Sequence, residues 1–139
     1  MRNAIWSALT SALLAFAVSG CGGDSSDTTT LSGTLTKSGV ADGTYAYLKL
    51  VAQGAAVTST TLFWTRSTAF SSGHATYALA DIKHGVYTGY AFIDVNGNAA
   101  GNASSMPDSG DWGTNGGQNF DMSKDQTGDL PEQTWIQMP

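Results

Sequence analysis

From residue 31 onward, apolar and polar residues alternate in short runs broken by Gly, Asn, Asp and Ser, and no long stretch repeats its apolar positions with a helical period. The runs predict strands over residues 31–37, 44–52, 57–66, 74–80, 85–94, 118–122 and 134–138. Seven short strands joined by turns predict an all-β domain, a seven-stranded antiparallel β-sandwich. Alternation is clearest over 85–94, where Val86, Thr88, Tyr90 and Phe92 share one face and Tyr87, Ala91 and Ile93 the other. Both faces carry apolar groups, so this strand belongs in the middle of a sheet. Over 74–80, Ala75, Tyr77 and Leu79 line one side, and residues 81–85 are expected to turn into the next strand. Gly54, Gly73, Gly85 and Gly110 fall in or beside turns, where positive φ is expected. Trp64, beside Leu62 at the end of its alternating run, is expected in the core.

Residues 1–30 follow a different pattern. Arg2 precedes an uncharged stretch from Ala4 to Val18 whose apolar centre is too short to span a bilayer comfortably, which predicts a secretory signal peptide over residues 1–20. Its end, Val18-Ser19-Gly20-Cys21, resembles the bacterial lipobox, in which small residues admit a peptidase that cuts just before a cysteine already carrying diacylglycerol. The resemblance implies a lipoprotein with Cys21, the one thiol of the chain, as its lipidated and palmitate-bearing first residue. Residues 21–30 then form the lipidated N-terminus and a flexible tether rich in Gly, Ser, Asp and Thr, and residues 31–139 the folded domain. Gly22 in place of Asp favours the outer membrane, by analogy with the enterobacterial sorting rule. The plainer alternative is an ordinary leader followed by an incidental cysteine.

Composition narrows the partners. The formal charge is −5, and loss of Arg2 with the leader would leave −6, an acidic balance that argues against nucleic acid and anionic lipid surfaces. Few charges and many Gly, Ser, Thr, Ala and Asn suit turns and strands better than helices. With one cysteine, no disulfide can form within the chain, so burial, strand pairing or a metal must hold it together.

The segment from Tyr77 to Asp94, a strand, a turn, Gly-Val-Tyr-Thr-Gly-Tyr and a second strand ending in Asp, resembles transthyretin-like or carboxypeptidase-regulatory-like β-sandwich domains of bacterial exported proteins. The resemblance implies a transthyretin-like or Ig-like sandwich and no particular activity. Its continuation, Asp94-Val95-Asn96-Gly97-Asn98, is similar to the Asp-x-Asn-x-Asn loop of such domains and puts oxygen-bearing side chains at the first, third and fifth places of a tight turn. Those are the opening ligand places of an EF-hand, and hard oxygen donors suit Ca²⁺. The pattern then departs, with Ala99 at the sixth place, Ser105 at the twelfth and a strand before the loop. Asp108 and Asp111 are positioned to complete a Ca²⁺ site with Asp94, Asn96 and Asn98, stiffening the long loop up to Gln118. The alternative is turn capping, in which Asp and Asn side chains serve their own backbone without an ion.

Trp112, followed by a Gly-rich run, is either an exposed stacking platform for a ligand or a lid on the sandwich edge. His74 and His84 are isolated from one another and read as strand-end and turn residues, and no nucleophile elbow or zinc spacing occurs. The expected function is therefore a non-enzymatic, lipid-anchored envelope protein whose sandwich is a binding or structural module for another envelope protein. The alternatives are a carbohydrate-binding module that stacks glycans on Trp112, Trp64 or Tyr90, and a subunit of a surface or secretion assembly.

Overall fold

The computed structural model describes residues 27–139; the expected leader, Cys21 and the first part of the tether lie outside the described residues. Nine strands follow in chain order: β1 (Thr28–Thr36), β2 (Tyr45–Ala52), β3 (Phe63–Arg66), β4 (His74–Lys83), β5 (Val86–Asp94), β6 (Trp112–Thr114), β7 (Gln118–Asp121), β8 (Gln126–Thr127) and β9 (Trp135–Gln137). They form two sheets, a smaller one ordered β4-β1-β8 and a larger one ordered β3-β2-β5-β6-β9, with β7 also on β5. The chain is an all-β sandwich. Its pairing is antiparallel except between β1 and β8, which run parallel.

The inward faces alternate as strand geometry requires. Leu31 and Leu35 of β1 with Ala75, Tyr77, Leu79 and Ile82 of β4 meet Ala46, Leu48 and Leu50 of β2 with Ala91 and Ile93 of β5. Phe70, Phe120, Met122, Leu130 and Trp135 close the ends of this core. Within the smaller sheet β1 and the segment after β8 approach closely at Gly33, where a Cβ would stand 2.5 Å from the Gly128 carbonyl oxygen. That carbonyl accepts the Tyr77 hydroxyl at 2.6 Å, tying the small sheet to the segment after β8.

The larger sheet is apolar on its outer face as well. Tyr47, Lys49 and Val51 of β2 and Thr88 and Phe92 of β5 are each under 9% exposed although they point away from the core. Tyr47 and Phe92 are cross-strand partners whose rings stack at 5.3 Å. Two connections cover this face. Residues 53–62 are pinned by the Gly54 amide donating to Thr88 Oγ1 and by the Tyr90 hydroxyl donating to the Ala55 carbonyl, and residues 95–111 lie across the opposite side.

Several boundaries differ from the expected ones, each for a local reason. Residues 57–62 are irregular, not strand: β2 ends at Ala52, and only Leu62, whose amide donates to the Leu50 carbonyl, reaches it. The fourth strand runs on through residues 81–83 instead of turning: two residues, Ala80 and Asp81, oppose Thr30, and Asp81 takes φ 58° to make the bulge. The bulge returns Ile82 to the core at 0% exposure. Residues 28–30 of the expected tether belong to β1. β6 interrupts the expected structureless loop, and the short β8 joins the small sheet. Trp64 is 39% exposed and Leu62 50%, so neither is core; Phe63 is the residue of β3 that packs inward, edge-on to Tyr87. The alternation was there with its phase shifted by one, which moves every side chain to the other face. The chain passing from β3 to β4, and so from one sheet to the other, reverses through Ser72 and Gly73, both at positive φ, in a tight turn closed by an antiparallel bridge between Ser71 and His74.

This burial map predicts a contrast. Ile82→Ala is expected to cost about 2–4 kcal/mol of folding free energy, whereas Leu62→Ala is expected to change it by less than about 0.5 kcal/mol, both read by chemical denaturation.

Candidate functional site

β5 ends in Asp94, which is 6% exposed, and the chain leaves the sheet there. Its carboxylate caps the turn that follows: Oδ1 accepts the amides of Gly97 at 2.8 Å and Asn98 at 3.1 Å, and Oδ2 accepts that of Ala99 at 3.1 Å. Gly97 sits at φ 72°, which lets three successive amides face one carboxylate. Seventeen residues on, Asp111 receives the returning chain. It is 1% exposed, with Oδ1 accepting the Val95 amide at 2.9 Å and Oδ2 the Asp108 amide at 3.1 Å. Its own carbonyl accepts the amide of Met138, just past β9, at 2.8 Å.

Asp108 joins the two ends from the surface. Its Oδ1 accepts Asn96 Nδ2 at 2.9 Å and its Oδ2 accepts Asn98 Nδ2 at 2.6 Å. The fold thus brings Asp94, Asn96, Asn98, Asp108 and Asp111 into one hydrogen-bonded clasp. Ser105 stands apart, in a turn with Asn102. Burial, with the charges of Asp108 and Asp94 adding to it, pushes the Asp111 carboxyl up, against the pull of its backbone donors. Hydrogen bonds from Asn98 and Asn96 hold Asp108 down.

The clasp oxygens are engaged by N–H donors, the arrangement of turn capping. Among the described residues no group of three His, Cys, Asp or Glu is disposed to hold a metal ion. The Asp94 and Asp111 oxygens are turned to the backbone, and both Asn side chains present nitrogen to Asp108.

Trp112 opens β6 opposite Ile93, half-buried against the core cluster. The Lys37 ammonium lies 4.2 Å above its ring, held there by an ion pair to Glu132. The Lys37 partnership keeps the Glu132 carboxyl below its ordinary range. Trp112 is thus a lid on the sandwich end. His74 begins β4 and His84 follows it, both exposed and neither hydrogen-bonded to the clasp.

A cavity of about 220 Å³ opens where β5 passes from β6 to β7, walled by Leu31, Leu50, Leu79, Phe120 and Leu130. No histidine or carboxylate lines it. The outer face of the larger sheet, which sequence reasoning passed over, carries a denser mix of groups. Trp64, Lys49 and Tyr90 are cross-strand neighbours in one row, and Arg66, Tyr47 and Phe92 form the next. The alternation of β2 held the signal, since Lys49 sits between Tyr47 and Val51 on a face that the core does not use.

No protein-family model matches the chain, and comparison with curated proteins finds no significant relative.

Removing the Asp94 carboxylate strands three amides in a part-buried turn. Asp94→Ala is expected to cost about 1–3 kcal/mol, with Asn96→Ala costing under about 0.5 kcal/mol, by denaturant titration.

Proposed function

We propose that the chain is a non-enzymatic, lipid-anchored envelope protein that uses a transthyretin-like sandwich as a binding module. The observation that carries the reading is Cys21: a lone thiol directly after an apolar leader, preceded by Val-Ser-Gly and followed by a Gly/Ser/Asp run. Acyl chains there would bind a membrane at about 0.8 kcal/mol per buried methylene, so two or more make attachment durable. The acidic clasp supports the binding-module half of the reading, because its carboxylates are spent on holding a loop and no histidine joins them. Another envelope protein, or a surface or secretion assembly, fits such a module as partner. Mass spectrometry of the chain expressed in a bacterium is expected to show Cys21 as the acylated first residue. Cys21→Ser is expected to leave the leader attached and acylation absent; an unmodified Cys21 behind an intact leader would sink the proposal.

A glycan-binding reading has its own observation. Trp64 is 39% exposed on the outer sheet face, in one cross-strand row with Tyr90, where a saccharide ring can stack.

Calcium at the clasp is the remaining reading from the sequence. It is favoured by three carboxylates gathered at one loop anchor with no ion-pair partner among the described residues. It would require Asn96 and Asn98 to turn their oxygens inward and Asp94 and Asp111 to release backbone amides. A thermal melt in excess calcium and then in chelator separates these states, since binding at a hundred times the dissociation constant adds about 2.7 kcal/mol. The hydrogen-bonded clasp is expected to give equal melting temperatures; a rise of several degrees with calcium would restore the ion.

A further inference from the structure

Lys49 is 7% exposed, in the middle of the larger sheet and on its outer face. A buried ammonium is costly unless an anion or several acceptors compensate it. Here the Nζ has one hydrogen-bonding contact, the Met106 thioether sulfur at 2.8 Å, and a thioether is a weak acceptor. Among the described residues no carboxylate pairs with it, although the chain as a whole is acidic. Burial accordingly lowers the Lys49 pKa. Among the described residues no buried side-chain nitrogen or oxygen lacks a hydrogen-bond partner, and the partner of this cation is a sulfur.

Its surroundings are those of a recognition site. An open depression of about 440 Å³ has Lys49 at its base, residues 58–61 along one wall, and Ala103, Ser104 and Met106 along the other. The first wall is Thr58-Ser59-Thr60-Thr61, a continuous row of hydroxyl-bearing residues, and Ser104 faces it. Met106, 38% exposed, lies over the ammonium as a flexible, displaceable cover. Trp64, the cross-strand partner of Lys49, rims the adjoining cleft with Arg66. The face therefore offers a largely buried cation, a row of hydroxyls on one side with Ser104 on the other, and an indole.

We infer that this depression binds an acidic saccharide, with the sugar carboxylate displacing Met106 to pair with Lys49, the ring hydroxyls meeting residues 58–61 and Ser104, and the apolar face of a ring stacking on Trp64. A carboxylate supplies the charge-assisted acceptor that the thioether does not. The hydroxyl walls select a polyhydroxylated ligand over an apolar acid, and the exposed indole selects one with a flat apolar face. The inference deepens the glycan-binding reading by naming its charge and its site, and it does not depend on Cys21 or on calcium.

The test uses the full-length chain in detergent and isothermal titration with a galacturonic acid trisaccharide, the uncharged galactose trisaccharide and a triglutamate peptide. The galacturonic acid trisaccharide is expected to bind at least about tenfold more tightly than either control, with affinity falling as salt rises. Lys49→Met keeps the aliphatic stem, removes a desolvated charge and is expected to melt no lower than the parent while losing that preference. Trp64→Leu, at an exposed edge position, is expected to weaken the acidic and neutral sugars alike, which separates stacking from charge. Failure of the acidic trisaccharide to bind, equal binding of the neutral one, tighter binding of the peptide, or unchanged binding by a folded Lys49→Met protein would each overturn the inference. Failure of the glycan-binding reading as a whole is distinguishable: no sugar binds in any variant.

Discussion

A strand that is apolar on both faces cannot be left to water on either, and β5 is such a strand. Tyr87, Ala91 and Ile93 point into the space between the sheets, while Thr88 and Phe92, 4% exposed each, point out of it. The first face calls for a second sheet, which β1 and β4 supply. The second calls for a cover, which the connections 53–62 and 95–111 supply. At about 25 cal/mol per Å² of apolar surface, covering two aromatic side chains on the outer face is worth several kcal/mol, enough to order loops that have no strand pairing of their own. The architecture is thus a two-sheet sandwich with a partial third layer of loop.

That third layer explains the acidic clasp. A loop of sixteen residues between Asp94 and Asp111 can lie flat on a sheet only if its ends are fixed and its backbone donors are satisfied. Asp94 takes three amides at the exit and Asp111 takes two at the junction, so short polar side chains do what a longer strand would otherwise do by pairing. The cost is a buried carboxylate with two others near it: burial first, then the charges of Asp108 and Asp94, push the Asp111 carboxyl up. The same acidic spacing that resembles a cation loop is therefore also what a hydrogen-bonded loop anchor needs. The two chemistries share residues because both rest on oxygen acceptors in a tight turn.

Much of this is legible in the amino-acid sequence alone. Alternation located β2, β4 and β5 closely, and the double-sided pattern of β5 placed it centrally in its sheet. The Asp/Asn spacing picked out five residues that the fold brings together. What escaped was whatever depends on partners distant in sequence. Residues 57–61 have strand-forming Val and Thr but no strand ladder to join, and Thr58 to Thr61 line a depression on the outer face instead. Asp81 extends β4 because a bulge opposite Thr30 is worth the return of Ile82 to the core. Trp112-Gly113-Thr114 is too short to declare itself and is a strand only because β5 and β9 flank it. Trp64 was misplaced for the same reason, since one residue of phase decides between core and surface.

The same phase argument bears on Lys49. Between Leu48 and Leu50, both facing the core, it can only face outward, and the loops that shelter Phe92 necessarily shelter it too. If burying that face were the sole requirement, an apolar residue would serve better, because desolvating a charge with a thioether as its companion gives nothing back. A cation is retained to advantage in such a place when something outside the chain completes it. The layer that stabilises the outer face by covering it also dries the ammonium, and a dried ammonium attracts a carboxylate more strongly than an exposed one does. Cover and recognition are two consequences of the one constraint set by β5.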